Sequence, residues 1–187
     1  MALPDTAVVQ VGTQIVLADT TDYSPTAANN LGTRTDQIDL TSLANAAARQ
    51  SAKVDLGASR AFGYNVMAAL EFAVAPGDGV TVDFYWAPSN SATAGTNNPG
   101  GVSGSDAAYT GTTGSTIDES VLQLQYIGSF SCTNDATTAV QIAQVGTFAP
   151  QERYGSMVVY NNAGQALHSD AVEMSISITP LDYVVID

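Results

Sequence analysis

The stretch FGYNVMAALEFAVAPGDGVTVDFYW, residues 62–86, decides the fold class of this chain. From Phe62 the even positions are Phe62, Tyr64, Val66, Ala68, Leu70, Phe72 and Val74. The odd positions are Gly63, Asn65, Met67, Ala69, Glu71 and Ala73. A period of two places alternate residues on one face of an extended strand, so this run predicts a strand with one strongly apolar side. Pro76-Gly77-Asp78-Gly79 then interrupts it, since Pro presets φ and Gly tolerates positive φ. Beyond the turn, Val80, Val82, Phe84 and Trp86 resume the apolar parity, with Thr81, Asp83 and Tyr85 on the other side. The pattern predicts a hairpin whose Phe84 and Trp86 point into a core and whose Tyr85 points out.

The same period recurs outward from this stretch. Ala7–Leu17 is β-branched and reads as an edge strand, and Ile38 and Leu40 begin a second run. In residues 51–56, Ala52, Val54 and Leu56 share one face against Ser51, Lys53 and Asp55. Val121–Ile127, Ala139–Val145 and Gly155–Tyr160 are further strands; Val172, Met174, Ile176 and Ile178 alternate with Glu173, Ser175, Ser177 and Thr179. Asn161-Asn162-Ala163-Gly164 reads as a turn. In Thr41–Arg49, Ser42 is placed to cap a short Ala-rich helix. About eight or nine strands with no βαβ rhythm predict an all-β antiparallel sandwich, jelly-roll-like, in one domain over residues 1–187. Residues 1–35 read as an N-terminal strand or arm. Residues 88–116, rich in Gly, Ser, Thr and Asn, read as a long loop or arm in which Tyr109 is the one sizeable anchor.

The charge is −13, from five Lys/Arg against eighteen Asp/Glu. Arg34, Arg49, Lys53 and Arg60 precede residue 61, and Arg153 is the only base after them. A field of this sign repels phosphate, which argues against nucleic acid as a partner. It suits a near-neutral N-terminal portion that docks and an acidic body that faces solvent. Cys132 is the only cysteine, so neither an intrachain disulfide nor a Cys-based zinc site is expected. The start MALPDT has no basic or apolar leader pattern, no run is long enough for a membrane helix, and no Asn-x-Ser/Thr occurs. These features predict a protein made in a cytoplasm and released without secretion.

Catalytic patterns are poorly represented. His168, the sole histidine, lies beside Ser169 and Asp170, and strand neighbours point to opposite faces, which is poor geometry for a triad. The segment GGVSGS lacks the spacing of a nucleophile elbow. Asp118-Glu119 are adjacent and read as the opening of a strand. Asp19, Asp22, Asp78 and Asp135 lie near turns without the spacing of a calcium loop. The expectation is therefore a non-enzyme with no catalytic residues, no metal and no cofactor. Arg153, in PQERYGSMVVYNN, reads either as a structural ion pair or cation–π contact at a strand end, or as a contact to a partner's carboxylate.

Several phrases taken together resemble small virion structural proteins of tailed bacteriophages, of the capsid decoration or cement type. They are LTSLANAAARQSAKVDLG, VDFYWAPSNS, GGVSGSDAAY, VGTFAPQERYGSMVVYNNAGQAL and SITPLDY, spanning residues 36–183. The resemblance implies a β-sandwich that binds the exterior of a phage head and stabilises the shell. Its partners would be the major capsid protein or neighbouring virion subunits, and it would be a homo-oligomer such as a trimer, with no nucleic acid or membrane contact. A neck or tail component is the near variant. Candidate partner-binding residues are Arg34, Arg49, Lys53, Tyr85, Tyr109 and Arg153. The alternative of another class is a carbohydrate-binding sandwich for host adsorption. It is motivated by the aromatic cluster at Phe84–Trp86 and the Asn-rich loop, and it turns on whether Trp86 is exposed.

Overall fold

The computed structural model describes residues 6–18, 33–135, 139–169 and 174–186, and their alternating strands build two sheets packed face to face. The first sheet contains β1 (Thr6–Val11), β2 (Ile15–Ala18), β3 (Asp36–Gln37), β6 (Gly63–Leu70), β10 (Gln141–Phe148) and β12 (Ser175–Ile186). Its order is β10-β6-β12-β2-β3, with β1 also beside β12. The second sheet contains β4 (Ala47–Gln50), β5 (Val54–Asp55), β7 (Thr81–Ser89), β8 (Ala107–Tyr109), β9 (Gln125–Ser131) and β11 (Tyr154–Asn162). Its order is β8-β4-β11-β7-β9, with β5 also beside β11. Every pairing is antiparallel except the short β2–β3 contact. The all-β sandwich expected from the alternation is the architecture observed.

The hairpin is not. β6 pairs with β10 and β12, whereas β7 pairs with β11 and β9 in the opposite sheet. Residues 71–80 carry the chain across the sandwich rather than around a tight turn. Parity reports which face of a strand is buried, and two strands facing each other across a core satisfy it as well as two neighbours in a sheet. Tyr64, Val66, Ala68, Leu70, Phe72, Val82, Phe84 and Trp86 all enter the core as expected. The apolar parity nevertheless outruns the covered region, since Phe62 is 70% exposed and Val74 52%.

At one level of the core, Tyr64 and Phe148 lie opposite each other on β6 and β10 with ring centroids 5.7 Å apart, and Trp86 reaches Phe148 from the other sheet at 5.1 Å. The Trp86 indole lies over Gly155 of β11, where any Cβ would collide with the ring. The sheets also close along one edge. A Cβ on Gly128 of β9 would strike the Val145 carbonyl of β10, and one on Gly146 would strike the Ile127 carbonyl. These paired glycines allow the two backbones to approach where the sheets meet.

Thr41–Arg49 forms no helix. Ser42 and Ala46 take positive φ, and the chain enters β4 at Ala47. The helix that does form is α1 (Ile117–Val121), where Thr116 accepts from the Glu119 amide and the Glu119 carboxylate accepts from the Thr116 amide. Asp118 and Glu119 therefore open a helix rather than a strand, because a capping box satisfies the orphan amides of a first turn. The strand expected over Val121–Ile127 begins at Gln125, and Ala7–Leu17 is divided by a break at residues 12–14. Asp19, Asp22, Asp170, Val172 and Glu173 lie outside the described residues.

Candidate partner-binding surfaces

The connection between β7 and β9, residues 90–124, is folded down over the outer face of the second sheet. It carries β8 to the far edge, where Ala107–Tyr109 pairs with β4. Beneath it lies a second apolar cluster: Val102, Tyr109, Val121 and Leu124 from the connection meet Ala48, Ala87, Val158 and Tyr160 from the sheet. Tyr109 is 1% exposed and donates its hydroxyl to the Gly100 carbonyl at 2.6 Å. The connection's glycines have a packing reason. Gly101 has φ +76 and sits where a Cβ would collide with the Gly111 backbone, so two passes of the loop touch.

Two of the expected partner-binding cations, Lys53 and Arg49, hold this cover in place. Lys53 Nζ donates to Ser89 Oγ at 2.9 Å and to the carbonyls of Thr93 and Thr96 at 3.1 Å each. Arg49 Nε donates to Asp106 Oδ1 at 2.7 Å, and the same oxygen accepts from the Asp39 amide at 3.1 Å. Gln50, the buried neighbour of Arg49, donates to the Ala108 carbonyl and accepts from the Ser103 amide. The long loop or arm expected over residues 88–116 is thus a layer fastened to the sheet. Arg49, Lys53 and Tyr109 act within the chain, because ammonium and guanidinium donors satisfy loop carbonyls and a carboxylate that approach the sheet.

Arg153 is engaged within the chain. Its Nε and Nη2 grip the Asp55 carboxylate at 2.8 and 2.7 Å, and its guanidinium carbon lies 5.0 Å from the Tyr154 ring centroid. That fork holds the Asp55 carboxyl below the usual carboxylate range. Arg34 is exposed ahead of β3. Tyr85 is half-buried, with its ring 5.4 Å from that of Tyr126, and burial followed by the Asp83 charge pushes its hydroxyl up to about 12. Trp86 is fully buried, so the aromatic trio offers no shared platform. His168 Nδ1 faces Glu71 Oε2 at 3.8 Å. Cys132 is buried near the Phe130 carbonyl, and burial raises its thiol to about 11. Among the described residues, no group of three or more His, Cys, Asp or Glu side chains is placed to hold a metal ion.

Two exposed surfaces remain that the sequence reading did not single out. At one end of the sandwich, β6 stops at Gly63 opposite Leu181, while β12 runs on to Ile186 paired with β1 alone among the described strands. Every second pair of this ribbon joins apolar residue types: Ala7 with Val185, Val9 with Tyr183, Val11 with Leu181. A cleft of about 260 Å³ opens at its base between Phe62, Phe148 and Leu181. Exposed Phe62 and Val11, the latter 61% exposed, lie at this end. The second surface surrounds Tyr126, 55% exposed on β9. Its hydroxyl is bonded to Ser129 Oγ at 2.6 Å, Ser129 donates to Asp83 Oδ1, and Asn162 Nδ2 donates to Asp83 Oδ2 at 2.9 Å.

Comparison of the chain with protein-family models, with curated proteins and with solved structures finds no match.

Proposed function

We propose that this chain is a non-enzymatic virion structural protein of a tailed bacteriophage that binds the capsid exterior and stabilises the shell. The phrase-level resemblance motivates the reading. The structural observation that carries it is the ribbon end: two strands that leave the sandwich together beside Phe62 and an apolar cleft. A two-stranded ribbon is marginal alone in water and gains stability when a partner surface covers it. The major capsid protein or a neighbouring subunit is the partner proposed. Many copies acting together need only modest contacts each, so that shell opening must break them collectively.

We also read the connectivity as a jelly roll. Taking β1 with β2 and β4 with β5 as single broken strands, and setting β3 and β8 aside, eight strands alternate between the sheets. The orders are sixth-third-eighth-first and second-seventh-fourth-fifth. Only the fourth and fifth, β7 and β9, follow each other within one sheet, and the cover layer is inserted between them. This order supports the jelly-roll reading, which by itself assigns no function.

The test mixes purified protein with heads that lack it. Stoichiometric binding and raised resistance to heat or chelators are expected. Phe62→Asp is expected to abolish binding with an unchanged melting temperature, whereas Arg153→Ala keeps binding. Equal head stability with and without the protein, together with a virion proteome that lacks it, would falsify the role.

A further inference from the structure

β1 is a long sheet edge that no other described strand covers. β3 and β8 end their sheets with only two and three residues. β9 and β10, at the opposite ends of those sheets, are drawn together by Gly128 and Gly146. β1 has six residues, TAVVQV, with no charge and no proline, the devices that usually blunt an edge. It pairs with β12 alone among the described strands, and Val11 and Gly12 at its end are exposed. One bond fixes which way its backbone groups point. The Gly12 amide donates to the Pro180 carbonyl at 2.9 Å, and antiparallel pairs alternate between bonded and non-bonded. Thr6, Val8 and Gln10 are therefore the residues bonded to β12, whereas Ala7, Val9 and Val11 turn their N–H and C=O groups to the open side. The far side of β12 is open only beyond Leu181, and the row there is shorter, Tyr183 and Val185.

We infer that β1 is a self-pairing edge, joining two copies of this chain about a two-fold axis at Val9 into a continuous β12-β1-β1-β12 sheet. A row of alternating donors and acceptors at strand spacing is matched in full only by another extended strand, so the occupant is a peptide edge. β1 itself fits that row. Antiparallel pairing centred on Val9 sets Val9 against Val9 of the second copy, and Ala7 against its Val11, so every outward residue meets an outward one. A one-residue slip would set them against Thr6, Val8 and Gln10, whose groups are taken by β12. A two-residue slip leaves one outward residue with no partner inside β1. The sandwiches do not collide in this arrangement. β1 runs from the ribbon tip at Thr6 toward the body at Gly12, so an antiparallel copy places its own body beyond that tip. Thr6 then lies opposite Gly12 of the second copy, beside an open cleft of about 330 Å³ at the ribbon's base. The net charge of −13 pushes copies apart elsewhere, and β1 brings no charge to the contact.

Self-pairing uses the ribbon's edge, and the proposed head contact uses its apolar side beside Phe62, so the two are separable. Analytical ultracentrifugation of the intact protein without heads, from about 1 to 100 μM, should show a reversible monomer–dimer equilibrium. Val9→Pro removes an outward N–H and no bond to β12. It should weaken association about tenfold or more while circular dichroism shows a folded chain. Cross-linking checks the register. Bonded partners at the axis have Cα atoms about 5.5 Å apart, within disulfide range. Two Val8→Cys chains would instead place their cysteines on a diagonal of about 7–8 Å. Mild oxidation should therefore link Val9→Cys into a covalent dimer and leave Val8→Cys unlinked, the buried Cys132 being common to both. A monomer throughout, a trimer or larger assembly, a dimer indifferent to Val9→Pro, or equal cross-linking at both positions overturns the inference. A monomer that binds heads overturns self-pairing alone, and a dimer that fails to bind them overturns the capsid role alone.

Discussion

The two faces of the second sheet are covered by different means, the outer one incompletely at Tyr126. Its inner face meets the first sheet through Val82, Phe84, Trp86, Met157 and Val159, each contributed by a long alternating strand. Its outer face is covered by residues 90–124, whose apolar groups are widely spaced: Val102, Tyr109, Ile117, Val121 and Leu124. The inner core follows from periodic burial along strands. The outer one depends on individual anchors and on Lys53, Arg49 and Gln50 reaching up from the sheet to bind loop backbone and Asp106. A low-complexity segment can thus be well packed when polar side chains from the sheet supply what its own composition lacks.

Substitutions that break one face and spare the other test this contrast. Trp86→Ala removes the largest inner side chain and leaves a void beside Phe148 and Gly155. A loss of about 3–5 kcal/mol is expected, read as a cooperative drop in melting temperature on the order of 10 °C. Tyr109→Ala should cost somewhat less, about 2–4 kcal/mol, with a different signature. Limited proteolysis should open residues 90–116 first while the sandwich persists. Simultaneous loss of both regions would show that the two cores form one cooperative unit.

The smallest effect is expected at the rim, where the edge of the first sheet approaches the second through the Ala52 amide and Gln37 carbonyl at 2.8 Å. Burial, and secondarily the Asp55 charge, pushes the Asp36 carboxyl up to about 6 from its ordinary 3.8. Between those values the folded chain binds more protons than the unfolded one, so stability falls as pH rises through that window and stays lower above it. Asp36→Asn should remove this fall and raise stability at pH 7 by on the order of 1–2 kcal/mol. Denaturant midpoints at pH 4 and pH 7 check the sign, and an unchanged pH dependence in the variant would rule it out.

Much of the outer cover was present in the sequence in a form that alternation does not detect. Residues 156–160 read Ser-Met-Val-Val-Tyr, apolar at consecutive positions from Met157, which marks a strand buried on both faces. All five are buried, Met157 and Val159 inward, Val158 and Tyr160 under the cover. Thr116-x-x-Glu119 likewise announced the helix start that strand parity obscured. The partner of Arg153 was not legible, because Asp55 lies 98 residues away. Nor was the setting of Tyr126, which in sequence is one strand tyrosine among others and is held at the surface by Ser129 and Tyr85.

Side-chain parity, a local property of the backbone, already marks an all-β chain with Phe84 and Trp86 on the core face and Tyr85 on the opposite face. That β6 and β7 face each other across the core instead of pairing, and that residues 88–116 are fastened to the sheet, follows from the tertiary structure. It also decided which aromatic remains at the surface. Those outcomes depend on contacts between residues tens of positions apart, and such contacts leave no period in the chain.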